Sequence, residues 1–205
     1  MSRRSLTLIL ASGSPRRREL LARLGLELLV VAPEIDETPL PSEPPPIHAV
    51  RIAGAKALAV WERHPDLPVL AADTVVVLGE RIFGKPSGRA EAAEMLAELA
   101  GKTHTVLTAL ALRWGRREAD HLEVATVAIV PHSEQLFRWY VATGECDDKA
   151  GAYAVQGRGA LLVERVEGNV QAVVGLPLAA LPGLFARVGL ELTTDGDRLL
   201  ISPRV

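Results

Sequence analysis

Apolar residues along the chain come in short runs broken by glycine, proline and charge, and the runs alternate between two periods. Leu6 to Ser12 is apolar and suited to a strand. Ser14 then offers an N-cap, with Pro15 at the first helical position, where a missing N–H costs nothing. Leu20, Leu21 and Leu24 follow as a stripe of period 3.6, and Gly25 fits the C′ position. The opening therefore reads strand, tight loop, helix. Glu27 to Ala32 forms a second strand, and Pro33 to Pro46, rich in proline and acid, is a loop.

Ile47 to His64 carries Ile47, Val50, Gly54, Leu58 and Trp61 at helical spacing. Val69 to Leu78 is an apolar run interrupted by Asp73 and Thr74, and Gly79-Glu80 turns it into a hairpin with Arg81 to Phe83. Gly88 to Ala100 is an alanine-rich helix with Met95, Leu96 and Leu99 inward and Gly101 as its stop. Thr103 to Trp114 and His121 to Val130 read as two long antiparallel strands, and Ser133 to Thr143 as a helix. A loop from Gly144 to Gly159 leads to a strand pair over Ala160 to Val174, folded around Glu167-Gly168. Pro177 to Val188 is a helix that Pro182 kinks, and the tail from Glu191 to Val205 forms a small hairpin around Asp195-Gly196. No internal repeat or low-complexity linker is present. The fold class is α/β, with a mixed parallel and antiparallel sheet and two lobes around a central cleft.

Composition narrows the function. The 205 residues are 48% hydrophobic and 23% charged, enough apolar surface for one core-bearing domain and too few like charges for disorder. The net charge of −2 provides no basic field to grip nucleic acid or anionic lipid, so any phosphate chemistry is local. Cys146 is the only cysteine, which excludes an internal disulfide and a Cys-built zinc site and suits a reducing compartment. Arg3 and Arg4 before a short apolar run give a superficial secretion-signal look, which Ser12 to Arg18 cuts short. No stretch approaches the roughly 20 apolar residues of a membrane span.

Four features carry chemistry. The corner Ser12-Gly13-Ser14-Pro15-Arg16-Arg17 combines a small-residue loop, a helix N-terminus and two guanidiniums. It is either an anion pocket or a capped surface helix with solvated arginines. Asp73 sits within an apolar run, where a buried carboxylate costs several kcal/mol (roughly) unless a cation, a metal or hydrogen bonds compensate. It either marks a strand end satisfied by Thr74 and nearby amides or serves as metal ligand or general base. Glu34, Asp36 and Glu37 can join it as oxygen ligands for Mg²⁺, or stand solvated, and Asp147, Asp148 and Lys149 share that ambiguity. Gly79, Gly84 and Lys85 have P-loop spacing, but Pro86 lacks the hydroxyl for magnesium and the N–H for the cradle, so Lys85 survives only as a point charge. Lysine itself is scarce, restricted to Lys56, Lys85, Lys102 and Lys149. The five histidines are scattered without ligand spacing, no G-x-S-x-G elbow occurs, and Cys146 reads as an incidental thiol.

LILASGSPRRRELL, EIDE, AADTVV, GKP, LAGKTHTV, DDKAGAYAVQGRGA and VVGLP appear in an order that closely resembles the Maf-type nucleoside triphosphate pyrophosphatases, the septum formation proteins, from Leu6 to Pro177. The resemblance implies one Maf/ITPase-like domain over 1–205, with a tail from 191 of open role, and cleavage of a nucleoside triphosphate between its α and β phosphates with Mg²⁺ or Mn²⁺. It makes Asp73 the proton acceptor and, with Glu37, the metal ligand. Ser12, Ser14, Arg16, Arg17, Lys56, Lys85 and Lys149 bind substrate. Arg16, Thr74 and Gln156 match the dTTP/UTP branch rather than the 7-methyl-GTP branch, which shows tryptophan, glutamine and glutamate there. It further implies a cytoplasmic homodimer without nucleic-acid or membrane partners. The alternatives are the 7-methyl-GTP specificity and a nucleotide-binding regulator of cell division that needs no turnover. Cys146 replaces a proline of many members and leaves DKAG intact.

Overall fold

The computed structural model describes residues 5–204. Arg3 and Arg4, which carry the secretion-signal look, and Val205 at the end of the tail lie outside them. The opening follows the expected order. Strand β1 (Leu8–Ala11) is wholly buried, helix α1 (Pro15–Ala22) follows, and β2 (Leu28–Val30) pairs parallel to β1. Ser14 occupies the N-cap position, yet its side chain makes no capping bond. Its N–H instead donates to Ser12 Oγ at 3.1 Å.

Helix α2 (Pro45–Trp61) begins within the predicted proline loop. Its buried face is His48, Ala49, Ile52, Ala53, Lys56, Ala57 and Val60 rather than the stripe of larger residues, and Ile47 is 60% exposed. Alanines let the helix approach its neighbours closely, so small side chains marked the interior better than bulk did. β3 (Val69–Leu78) and β4 (Arg81–Phe83) form the expected hairpin, and β3 also pairs parallel to β1 with Ala11 opposite Ala71. α3 (Arg89–Leu99) buries Met95, Leu96 and Leu99. β5 (Thr103–Trp114) follows, and β6 (Arg117–Ile129) starts four residues earlier than predicted. α4 (Glu134–Ala142) is capped by Ser133, whose Oγ accepts from the Leu136 N–H.

Two later expectations are corrected. The strand pair over 160–174 is a single strand, β7 (Val163–Glu167), antiparallel to β6 and followed by α5 (Val170–Val174). Asn169 Oδ1 accepts from the Gln171 N–H at 2.9 Å, a capping bond that starts a helix where apolar content alone suggested a strand. Pro182 does not kink the next helix. It lies in the first turn of α6 (Leu181–Arg187), where no intrahelical bond is lost. The tail forms the expected hairpin of β8 (Leu190–Asp195) and β9 (Arg198–Pro203), with Leu190 and Ile201 buried.

Strand order is β2-β1-β3-β5-β6-β7, with β4 also on β3, so the sheet is mixed and the class α/β. The chain forms two compact units. The first takes the chain up to Asp73, Ala109–Leu122 and everything from Gly175 on, and the second takes Thr74–Thr108 and Glu123–Val174. Each has its own core: Leu8, Leu10, Leu21, Leu70, Leu110 and Phe185 among others in the first, Phe83, Leu96, Leu99, Phe137, Tyr140 and Leu162 in the second. Among the described residues no helix is long and apolar enough to cross a membrane.

Candidate functional site

In the first unit the register of β1 on β3 sets Ser12, just past the end of β1, near Ala72. The tight corner then turns the first turn of α1 back over both strands. Arg17 uses that position to tie the corner down. Its Nε donates to the Gly175 carbonyl at 2.8 Å, and its Nη1 donates to the Ala72 carbonyl at 2.8 Å and to Ser12 Oγ at 3.3 Å. Burial lowers the Arg17 pKa from its ordinary value; Asp73 and Glu37 raise it, and Arg16 lowers it further. Arg16, Arg17, Glu37 and Asp73 therefore share one electrostatic neighbourhood.

Asp73 is 6% exposed, a depth at which an unpaired carboxylate is strongly disfavoured. Its partner is Lys56, itself on the buried face of α2, whose Nζ donates to Asp73 Oδ1 at 2.8 Å. The same ammonium donates to Glu37 Oε2 at 2.8 Å, and Glu37 stands half-exposed on the loop before α2. Two acids thus flank one cation, and the guanidinium of Arg17 lies alongside. Of the strand-end and functional readings of Asp73, the pairing partner is a lysine rather than Thr74. Lys56, Glu37, Asp73, Ser12, Ser14, Arg16 and Arg17 all belong to this unit.

Thr74, Lys85, Lys149 and Gln156 belong to the second unit. Thr108 Oγ1 donates its one proton to the Ala172 carbonyl at 2.7 Å, so in the 2.8 Å contact between Thr74 and Thr108 it is Thr74 that donates. Lys85 is exposed at the end of β4. The adjoining Gly84 carbonyl accepts from the Gly151 N–H at 3.1 Å, which draws the segment holding Lys149 toward the hairpin. Gly151 has φ +68°, and a Cβ there would stand 3.0 Å from Val76 Cγ1, so only glycine permits the approach. Lys149 Nζ donates to Asp148 Oδ1 at 2.5 Å. Gln156 is exposed on a loop whose next turn is held by Glu145, which accepts from the N–H groups of Arg158 and Gly159.

Residues 81–83 form a strand, consistent with the rejection of a P-loop. Cys146 is buried and burial raises its thiol pKa, which fits an incidental thiol. Of the loop acids Glu37 shares a hydrogen-bonding partner with Asp73, while Asp36 accepts from the Thr38 N–H at 2.9 Å and shares with Asp73 only the electrostatic influence of Arg51. Among the described residues no three His, Cys, Asp or Glu side chains gather as a metal cluster.

Sequence reasoning missed the bonds that hold the Glu37 loop. Glu43 is bound bidentately by Arg51, with Nε at 2.6 Å and Nη2 at 2.7 Å, and it also meets His48 Nδ1 at 3.1 Å. The only available signal was that His48 and Arg51, three apart, share a helix face. His104 and Tyr153, paired at 2.7 Å inside the second unit, were equally invisible.

Residues 7–188 match the family model described as Maf-like protein. The chain is 44% identical over 189 residues to a dTTP/UTP pyrophosphatase of Symbiobacterium thermophilum, covering 92% of this chain and 97% of that one. It is 48% identical to a dTTP/UTP pyrophosphatase of Myxococcus xanthus, covering 90% and 94% respectively. Among solved structures it is similar to a HAM1 protein from Coxiella burnetii, with 16% identity, a TM-score of 0.46, and coverage of 87% and 91%.

Proposed function

The chain belongs to the Maf-like protein family, and from that premise we propose that it cleaves dTTP and UTP between the α and β phosphates, giving the monophosphate and pyrophosphate. The observation that carries this reading is the alternation Glu37, Lys56, Asp73 beside Arg17, a set of charges compensated by one another and matched to a polyanion.

Each residue has a share in that chemistry. Water attacks the α phosphorus, its oxygen forms the new P–O bond, and the bond to the bridging oxygen breaks so that pyrophosphate leaves with that oxygen. Asp73 accepts the proton of the attacking water. Lys56 orients that carboxylate at depth, since its ammonium donates to one of the two oxygens. Arg17 fixes the corner, and Arg16 with the Ser12 and Ser14 hydroxyls meets phosphate.

Two carboxylates that already share one cation 2.8 Å from each are oxygen donors of the kind a hard divalent ion takes. Glu37 and Asp73 would hold Mg²⁺ or Mn²⁺, and the ion supplies neutralisation of the charge that builds on the leaving pyrophosphate.

Lys85 and Lys149 of the second unit bind phosphate on the same reading. Arg16, Thr74 and Gln156 bias the choice toward pyrimidines; with its proton committed to Thr108, Thr74 meets a base as an acceptor. On the family resemblance the protein works as a homodimer, and a lone buried thiol suits the reducing cytoplasm. The deciding experiment offers dTTP, UTP and 7-methyl-GTP with Mg²⁺ and identifies the products. Pyrophosphate from dTTP and UTP is expected. Orthophosphate as first product overturns the cleavage position, and preference for 7-methyl-GTP overturns the specificity.

A further inference from the structure

Glu37 stands on a proline-rich loop without regular structure, half in solvent, yet its carboxylate meets Lys56 at hydrogen-bond distance. Something must hold that loop against the entropy of an open chain, and the residues that do so are fully specified. Glu43, near the end of the loop, keeps only 5% of its side chain exposed. Its Oε1 accepts from Arg51 Nε at 2.6 Å. Its Oε2 accepts from Arg51 Nη2 at 2.7 Å, from the Leu40 N–H at 3.1 Å and from His48 Nδ1 at 3.1 Å. A carboxylate only accepts, so His48 carries its proton on Nδ1 in that bond. Arg51 Nη2 also donates to the carbonyl of Thr38 at 3.1 Å, one residue from Glu37. Arg51 thereby clamps the loop at two points after Glu37, at Thr38 and at Glu43. The bond to Arg51 leads the causes that lower Glu43 to about 2, so the carboxylate is charged wherever the protein is folded near neutrality.

Lys56 and Arg51 are both on α2, as is His48. The helix that delivers the ammonium to Asp73 is the same helix that anchors the loop delivering Glu37. We propose that Glu43, gripped by Arg51 and His48, is a positioning residue that sets where Glu37 stands relative to Lys56 and Asp73. This rests on the reading of Glu37 and Asp73 as the working carboxylates. Glu43 itself touches no substrate and acts through Glu37.

The test combines kinetics and hydrogen exchange on the full chain. Glu43→Ala should lower kcat/KM for dTTP about 10-fold and raise the half-activating Mg²⁺ concentration by a similar factor, with Glu43→Gln in between. In a Glu37→Ala background the same change should cost less than about twofold, because its route of action is already gone. Full multiplicative loss in the double variant overturns the proposal, since a general structural defect would add to the loss of Glu37. Independently of turnover, the Leu40 amide, which donates to Glu43, should exchange about 10-fold faster in Glu43→Ala while β3 amides keep their protection. Unchanged exchange at Leu40 overturns it as well. If the wild type releases no pyrophosphate from dTTP, the function proposed above fails, and the exchange result still decides whether Glu43 holds the loop.

Discussion

Asp73 on β3 and His104 on β5 are both ionisable side chains inside a sheet, 6% and 3% exposed, and the two units treat them in opposite ways. Asp73 keeps charged company, with the Lys56 ammonium 2.8 Å away and Glu37 on the far side of that ammonium. His104 has Tyr153 as partner at 2.7 Å and no cation or anion, and its Nδ1 has no hydrogen-bond partner. Burial lowers His104 to about 4 and raises the Tyr153 phenol far above its ordinary value, so both are neutral at physiological pH. The second unit thus hides polarity by discharging it. The first holds an ion pair at depth, at a desolvation cost that its partners must offset. That difference is what the proposed reading of the Asp73 cluster builds on.

The comparison breaks first at Asp73. Asp73→Asn keeps the shape and removes the proton acceptor, so dTTP turnover should fall on the order of 10² to 10⁴-fold while the circular dichroism shows an intact fold. Turnover within a few-fold of wild type would remove Asp73 from the chemistry and leave the charge cluster without its proposed purpose. Lys56 comes next. Lys56→Met strands a buried carboxylate and should lower unfolding stability in urea by about 3–5 kcal/mol, whereas adding Asp73→Leu should restore most of it. A loss below about 1 kcal/mol in the single variant would mean that water, not Lys56, compensates Asp73.

What was legible beforehand follows from how local each signal is. The strand, corner and helix at Leu8–Ala22 and the β3–β4 hairpin rest on neighbouring residues, Pro15 and Gly79-Glu80 among them, and both were readable. The interior face of α2 was not, because burial there follows what packs against the helix, and alanine fits where leucine would clash. α5 was missed since one side-chain bond from Asn169 outweighed the apolar composition of Val170–Val174. At the site, an aspartate in an apolar run demanded a partner, but nothing along the chain says which cation. Lys56 is 17 residues from Asp73 and 19 from Glu37, and only folding brings the three together. Lys56 came from family resemblance, and the Glu43–Arg51 clamp had no signal beyond the helix face that His48 and Arg51 share.

The smallest effect tests the neutral side of the comparison. A histidine whose folded pKa is about 4, against an ordinary 6.5, binds its proton more readily in the unfolded chain. The stability it contributes is therefore complete above pH 6.5 and drains away as pH falls toward 4, worth about 3 kcal/mol across that window. His104→Gln retains hydrogen-bonding capacity toward Tyr153 but cannot titrate, so between pH 7 and pH 4 the wild type should lose about 3 kcal/mol more than the variant in urea unfolding. At pH 7 the variant should turn over dTTP within about twofold of wild type, because nothing in the proposed reaction uses His104. Parallel stability profiles would mean that the folded protein accommodates a charged histidine there, and the two units would then differ in ligand chemistry without differing in how they handle buried charge.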